Sequence, residues 1–397
     1  MTSQTAPDSW ILTTSRRVMR TGPGHRLPAQ SGAGQFSRLS RAAEEALLDA
    51  PPGYAVVGVM PFDEHTPAVL TLAPLIIRPR ARQEQSLRVA TPAPQPPGDP
   101  AYLAAVAQGL HELRSGKVRK VVLARSLLVP GLRPEDAAAL LHRLRQQEPD
   151  AHVFRADISP DDDAGSTLLV GASPELLLAR HGNHLCLNPL AGTASRHPNP
   201  IRDHAVADAL LKSPKDRREH ALVVEHLAHR LQPLCAALDV PATPSLKATS
   251  HVWHLSTVIR ARLRHPRPSA LDLALRLHPT PAVCGSPTGD ARRLIQRLES
   301  RPRGYYTGLI GWMDRHGDGQ WVITLRCGEL SQQGLRLYAG AGILADSCPE
   351  TELAETGAKL STLLSALPTP HQHQHTRSAA HSHDELPEGL QIIDASS

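Results

Sequence analysis

Glu352 and Glu355, in the segment ETELAETGAK, are three residues apart. On a helix that spacing puts both carboxylates on one face, close enough to share a cation. Lys359 follows Glu355 by four residues, so a solvated, salt-bridged helix start favoured by the N-terminal dipole is the plainer reading. Just upstream, LYAGAGI places Gly340 and Gly342 at the end of a strand, where a ligand can approach the backbone. Glu219, in RREH, opens a second helix, and two acidic helix starts could together offer oxygen ligands to Mg²⁺.

Four further residues have suitable chemistry. Lys120 lies inside the apolar run KVVLAR, sharing a face with Val122 and Ala124. On a solvated face it does nothing special; buried, it becomes a candidate general base. Glu175 ends a strand at GASPE, as a turn residue or as a general acid with a raised pKa. Arg326 in WVITLRC, on one face with Val322 and Thr324, offers a planar fork to a carboxylate. His254 in HVWHLST is either a hydrogen-bonded core histidine or a ligand contact.

The elements that must hold these groups follow from periodicity and punctuation. Strands are expected at 53–59, 68–77, 118–129, 166–170, 321–327 and 335–338. Helices are expected at 102–115, 216–238 and 350–367. Ser213-Pro214-Lys215-Asp216 is a helix start, with an N-cap serine, proline at the first helical position and an acid three residues after the cap. In the helix that follows, Val224, Leu227, Ala228, Leu231, Leu234, Cys235 and Leu238 recur at helical spacing. In the last helix Leu360, Leu363, Leu364 and Leu367 share a face. No glycine fingerprint follows a strand, and strands mix with helices, so the class is α+β, more antiparallel than doubly wound. The domain reading is a poorly predictable N-terminal segment over 1–40, one large domain over 41–367, and a disordered His-rich tail over 368–397. Residues 91–100, with five prolines, read as an extended surface crossing.

Composition narrows the function. The chain has 397 residues, 41% apolar and 20% charged, with 43 Lys plus Arg against 38 Asp plus Glu. A net charge of +5 without clustering, and only five Tyr, four Trp and three Phe, argue against a nucleic-acid partner. No run of 18 apolar residues is present, so no membrane-spanning helix is expected. The first residues, MTSQTAPDSW, have neither a basic nor an apolar leader region, and a cytoplasmic protein is expected. Cys186, Cys235, Cys284, Cys327 and Cys348 are odd in number and never in CxxC pairs, so they read as reduced thiols. The tail histidines could bind a transition metal weakly.

Taken in order, KVVLAR, GASPELLL, PLAGTASR, the RREH helix, HVWHLST, LHPTPAVCGSP, YYTGLIGW, WVITLRC, AGAGI and ETELAETGAK resemble the chorismate-utilising enzymes. The match is closest to the isochorismate synthase branch and spans about 53–367. The resemblance implies one large domain of antiparallel sheets packed face to face with helices outside. It implies the Mg²⁺-dependent isomerisation of chorismate to isochorismate, by water addition at C2 and loss of the C4 hydroxyl. By motif position Lys120 corresponds to the base that activates water and Glu175 to the acid that protonates the departing hydroxyl. Glu219, Glu352 and Glu355 correspond to the Mg²⁺ positions. Gly192, Thr193, His254, Arg326, Ala341, Gly342 and Lys359 correspond to substrate contacts.

Within that family the ammonia-using enzymes generally lack the lysine of KVVLAR and rely on a glutaminase, so Lys120 favours water and no glutaminase partner is expected. Salicylate synthases keep the lysine and then eliminate pyruvate; the form of His278-Pro279-Thr280-Pro281-Ala282-Val283 favours the isochorismate synthase over this rival. A monomer is expected, supplying siderophore, salicylate or menaquinone biosynthesis. Gln320 stands where many relatives carry Glu before the tryptophan, and is expected on a loop outside the chemistry. A non-catalytic metal-binding protein working through its histidine tail is the reading from another class. It is disfavoured because Lys120, Glu175, Glu219 and Glu355 are all present.

Overall fold

The computed structural model describes residues 10–80, 96–160 and 165–367. Part of the proline-rich 91–100 segment and the whole histidine-rich tail lie outside the described residues. Within them the architecture is two antiparallel sheets laid face to face, with helices on both outer faces.

The first sheet runs, edge to edge, through Val69–Pro79, Arg17–Thr21, Trp10–Thr13, His152–Asp157, Leu168–Ser173, Cys327–Ser331, Gly334–Ile343, Lys120–Val129 and the short Gly285–Ser286. The second runs through His25–Arg26, Val69–Pro79, Tyr54–Met60, Leu309–Asp314, Gly319–Ile323, Leu176–His181, His184–Asn188, Ile259–Leu263 and Cys235–Asp239. The long strand Val69–Pro79 belongs to both, so seventeen strands form one continuous hydrogen-bonded system. A separate three-stranded sheet, Leu190–Ser195, Val252–Ser256 and Ser245–Ala248, stands beside them.

Alternation decides which side chains face which layer. Trp10, Leu12 and Phe154 of the first sheet meet Val57, Val59, Ile310 and Val322 of the second in the inter-sheet core. The other face of the second sheet buries Leu178, Leu185 and Trp321 under helices Gln35–Leu48, Pro214–Leu231 and Ala270–Leu277. The outer face of the first is covered partly by Ala137–Gln147 and Pro349–Leu364, and partly by Pro100–Arg114 and Thr288–Leu298.

The α+β expectation matches this architecture, and three local expectations need correction. Residues 10–40, for which the sequence predicts no elements, supply two strands to the first sheet, one to the second and the start of a helix. The helix expected over 216–238 ends at Leu231, because Pro233 cannot continue it, and Cys235–Asp239 becomes a strand at the edge of the second sheet. The strand expected over 321–327 is two strands in different sheets, Gly319–Ile323 and Cys327–Ser331, with Thr324, Leu325 and Arg326 between them. Gln320 is a strand residue of Gly319–Ile323, opposite Trp312, not a loop residue. The helix start at Ser213 is as expected: its side chain accepts from the Asp216 N–H and Pro214 holds the first helical position. All five cysteines are free; Cys235, Cys284 and Cys327 are buried, Cys186 is half-buried and Cys348 is exposed.

Candidate active site

The site is built where chain segments cross between the layers. Leu168–Ser173 belongs to the first sheet and Leu176–His181 to the second, so Pro174 and Glu175 form the crossing. Thr324–Arg326 makes the reverse crossing beside it, and the two are tied by Ala172 N–H to Arg326 O at 3.0 Å and Ile323 N–H to Glu175 O at 3.2 Å. A crossing cannot keep strand geometry. Arg326 takes φ +48, and Thr307, whose N–H bonds Thr324 O, takes φ +59. Left-handed backbone at such residues costs about 1 kcal/mol each and persists where surrounding contacts hold it.

A narrow cleft opens at these crossings. Its lining includes Glu175, Gly192, Thr193, Glu219, His254, Arg326, Gly342 and Lys359, all singled out in the sequence. Gly192 sits at a bulge in Leu190–Ser195 with φ +72, a conformation glycine adopts without a Cβ penalty. Thr193 Oγ1 is 3.1 Å from His254 Nδ1. His254 Nε2 is 3.0 Å from Arg326 Nη2, so Nε2 accepts and the proton of the neutral ring belongs on Nδ1. Burial, then the nearby Arg326 charge, pushes the His254 pKa well down and keeps the ring neutral. The buried Nε of Arg326 makes no hydrogen bond within the protein and leaves a donor for an incoming carboxylate.

Glu175 is buried, and burial raises its carboxyl to about 7 against the pull of the Leu190 N–H, Lys120, Lys247 and Arg326. A carboxylic acid still carrying its proton near neutrality is what a general acid requires.

Lys120 does not line the cleft. It is fully buried behind Gly342, with Nζ 2.9 Å from Glu219 Oε1, at a contact short enough for an ion pair but poorly angled for a directed hydrogen bond. A Cβ on Gly342 would overlap Glu219 Oε1 and fall 2.9 Å from Lys120 Cε, so a side chain here would have to push the pair aside. Burial would raise the Glu219 carboxyl, but the Lys120 charge outweighs it, with Lys359 and Lys215 adding, and the group stays below its ordinary range. Ala341 turns its side chain away from the cleft into the core with Leu123 and Leu294.

Glu352 and Glu355 stand just outside the lining. Glu352 is buried and pairs with Lys215 at 2.9 Å; Glu355 pairs with Lys359 at 2.6 Å. Lys359 also donates to Gly340 O at 2.8 Å. Glu355 is pushed up by burial and, against the pull of Lys359, further by the charges of Glu352 and Glu219, so the three carboxylates repel one another. Crowded acidic oxygens fit a hard dication such as Mg²⁺. In this arrangement each acid is offset by one lysine, and no three potential ligands stand in metal-holding geometry among the described residues.

Sequence reasoning assigned no role to Tyr306, Thr307, Ala282, Val283 or Leu325, which also line the cleft. They lie within YYTGLIGW, LHPTPAV and WVITLRC, so the signal was present as motif but not as chemistry. Arg303 shows why these walls hold together. Its guanidinium, buried and paired with Glu299 at 2.5 Å, donates to Val283 O at 2.6 Å and Val122 O at 2.7 Å, while Glu299 accepts from Ala124 N–H at 2.8 Å. One buried pair thus fixes three segments.

The model of the family described as "Chorismate binding enzyme" matches residues 75–368. The chain belongs to the chorismate-binding enzymes. It is 40% identical over 380 residues to isochorismate synthase DhbC of Bacillus subtilis, covering 92% of this chain and 95% of that protein. Isochorismate synthase EntC of Escherichia coli is 38% identical over 320 residues, 78% of this chain and 80% of that one. The solved structure of DhbC from Bacillus anthracis superposes with a TM-score of 0.83 at 38% identity, covering 90% of this chain and 96% of that one.

Proposed function

We propose that this chorismate-binding enzyme converts chorismate to isochorismate. The observation that carries the reading is a cleft, in a chain related to isochorismate synthases, lined by a buried acid, Glu175, and by Glu219, whose partner Lys120 lies buried behind the wall. Chorismate brings two carboxylates. Arg326, with its free Nε, and Lys359 are the cations placed to meet them, and Thr193 and His254 present neutral polar edges.

Glu175 gives its proton to the C4 hydroxyl as that group leaves. Lys120 enters this step as the uncharged amine: the proton of its ammonium leaves first, the amine then takes the proton of the water that attacks C2, and the Glu219 carboxylate stabilises the ammonium formed again. Atoms balance: one water adds and one water leaves. Mg²⁺, held by Glu219, Glu352 and Glu355, would neutralise and orient the ring carboxylate. For Glu352 and Glu355 to hold it, their pairs with Lys215 and Lys359 would have to open.

With water as nucleophile, the chain works without a glutaminase partner, as a monomer in the cytoplasm. No helix among the described residues is long and apolar enough to cross a membrane. NMR analysis of products from purified protein and chorismate, with and without Mg²⁺, tests the reading. Isochorismate formed only with the metal supports it; salicylate plus pyruvate, or unchanged chorismate from folded protein, overturns it.

A further inference from the structure

The small three-stranded sheet carries a row of side chains in register. Thr193 is opposite His254, and His254 is opposite Lys247 on the third strand, so the three side chains stand side by side across the sheet. The first two line the cleft. Lys247 turns to the crossing that holds the acid, and its Nζ donates to Pro174 O at 2.7 Å. On the other side of that crossing His152 Nδ1 lies 3.3 Å from Ser173 O, and the Ser173 hydroxyl accepts from the Glu175 N–H at 3.2 Å. The corner Ser173-Pro174-Glu175 is also held by Ile323 N–H to Glu175 O at 3.2 Å and, from the small sheet, by Leu190 N–H to Glu175 Oε1 at 3.4 Å; Lys247 is the charged side chain that this sheet adds.

We infer that Lys247 is a positioning residue for the acid Glu175, fixing the Pro174 carbonyl and setting a positive charge beside the carboxyl. This rests on the isochorismate synthase reading. A neutral donor could also satisfy the Pro174 carbonyl, so what a lysine adds at this position is its charge. The charges facing Glu175 are Lys120 from the strand Lys120–Val129, Lys247 from Ser245–Ala248 and Arg326 from the neighbouring crossing. Those around Lys247 are Glu175 and Asp150, with His152 and His254 close enough to feel its charge. Each cation beside Glu175 draws its pKa down against the burial that lifts it, so removing Lys247 makes the acid keep its proton to higher pH.

The test compares full-length Lys247→Met and Lys247→Arg with wild type over pH 5.5–9, reading isochorismate formation. The methionine variant is expected to lose about 100-fold in kcat, the cost of a misplacement of about 1 Å, with little change in KM. Its alkaline limb should move up by about one pH unit, and arginine should restore most of the rate and the limb. Equal losses in kcat and KM, an unmoved limb, or no difference between the two variants would overturn the inference. Titration of the Glu175 carboxyl by ¹³C NMR, assigned against Glu175→Gln, reads the same shift in the protein without substrate. It therefore decides the role of Lys247 even if Lys247→Met folds poorly, since Lys247→Arg and Lys247→Gln give the same comparison. It also separates failure of this inference from failure of the activity, because wild-type protein that makes no isochorismate overturns the activity alone.

Discussion

Lys120 Nζ and Glu219 Oε1 stand 2.9 Å apart in the volume that a side chain at position 342 would otherwise occupy. Backbone and ion pair are complementary here: the strand Gly334–Ile343 runs over the undisturbed pair at a position without a Cβ. Gly342→Ala should therefore displace the Glu219 carboxylate, lowering turnover by about 100-fold at a stability cost of about 1–3 kcal/mol. Steady-state assay and denaturant unfolding check this together. Wild-type turnover from the alanine variant would show that the pair moves aside freely.

Deleting one member of the pair leaves the other charged and poorly solvated. Lys120→Met should abolish measurable turnover and destabilise by about 3 kcal/mol, because Glu219 loses its counter-charge. Adding Glu219→Gln should recover much of the stability and none of the activity. The double-mutant cycle in urea measures the coupling; additive losses would mean the contact contributes little.

The pH dependence follows from Glu175. Its folded pKa, about 7, lies above the ordinary 4.5 because it is buried. As the general acid it must be protonated, so turnover should fall as pH rises through about 7. The folded state also holds this proton when the unfolded chain has lost it, so stability decreases as pH rises from 4.5 to about 7, by up to about 3 kcal/mol. Glu175→Gln should lower kcat by at least about 100-fold and remove that loss of stability. Unfolding curves at pH 5 and 8 for both proteins decide it; parallel pH trends would contradict the assignment.

The buried Arg303–Glu299 pair should matter without touching substrate. Arg303→Lys keeps the charge but loses the fork that reaches both Val283 O and Val122 O. We expect KM for chorismate to rise several-fold. Arg303→Ala should cost about 3–5 kcal/mol, since Glu299 is left buried and unpaired. Kinetics of the lysine variant and unfolding of the alanine variant are independent readings.

Chelation provides the metal test. Stripping divalent cations should abolish turnover, and Mg²⁺ should restore it. Glu355→Gln should shift the Mg²⁺ needed for half-maximal rate upward by about tenfold or more. Activity unchanged by chelator would remove Glu219, Glu352 and Glu355 from a metal role.

Much of this was legible along the chain. The Ser213 cap and the helix it starts, the strand around Lys120 and the last helix are local patterns, where neighbours in sequence are also neighbours in space. Where locality failed, the reason is physical. WVITLRC has the composition of a continuous strand, and nothing in its alternation reveals that its two halves belong to different sheets, with Arg326 forced to φ +48 between them. Residues 10–40 lack strong periodicity because their short strands are stabilised by pairing with Val69–Pro79 and His152–Asp157, partners far along the chain.

The sequence by itself determined the family, the antiparallel α+β class and the residue types of the site, since ordered motifs and turn chemistry are properties of the linear chain. Only the tertiary structure decided that Lys120 lies behind Gly342 rather than on the cleft wall. It also decided that Glu352 is offset by Lys215 and that Lys247 reaches the corner of Glu175. These relations join residues tens to hundreds of positions apart. Burial and charge pairing act through space, so they exist only once the sheets have closed on one another.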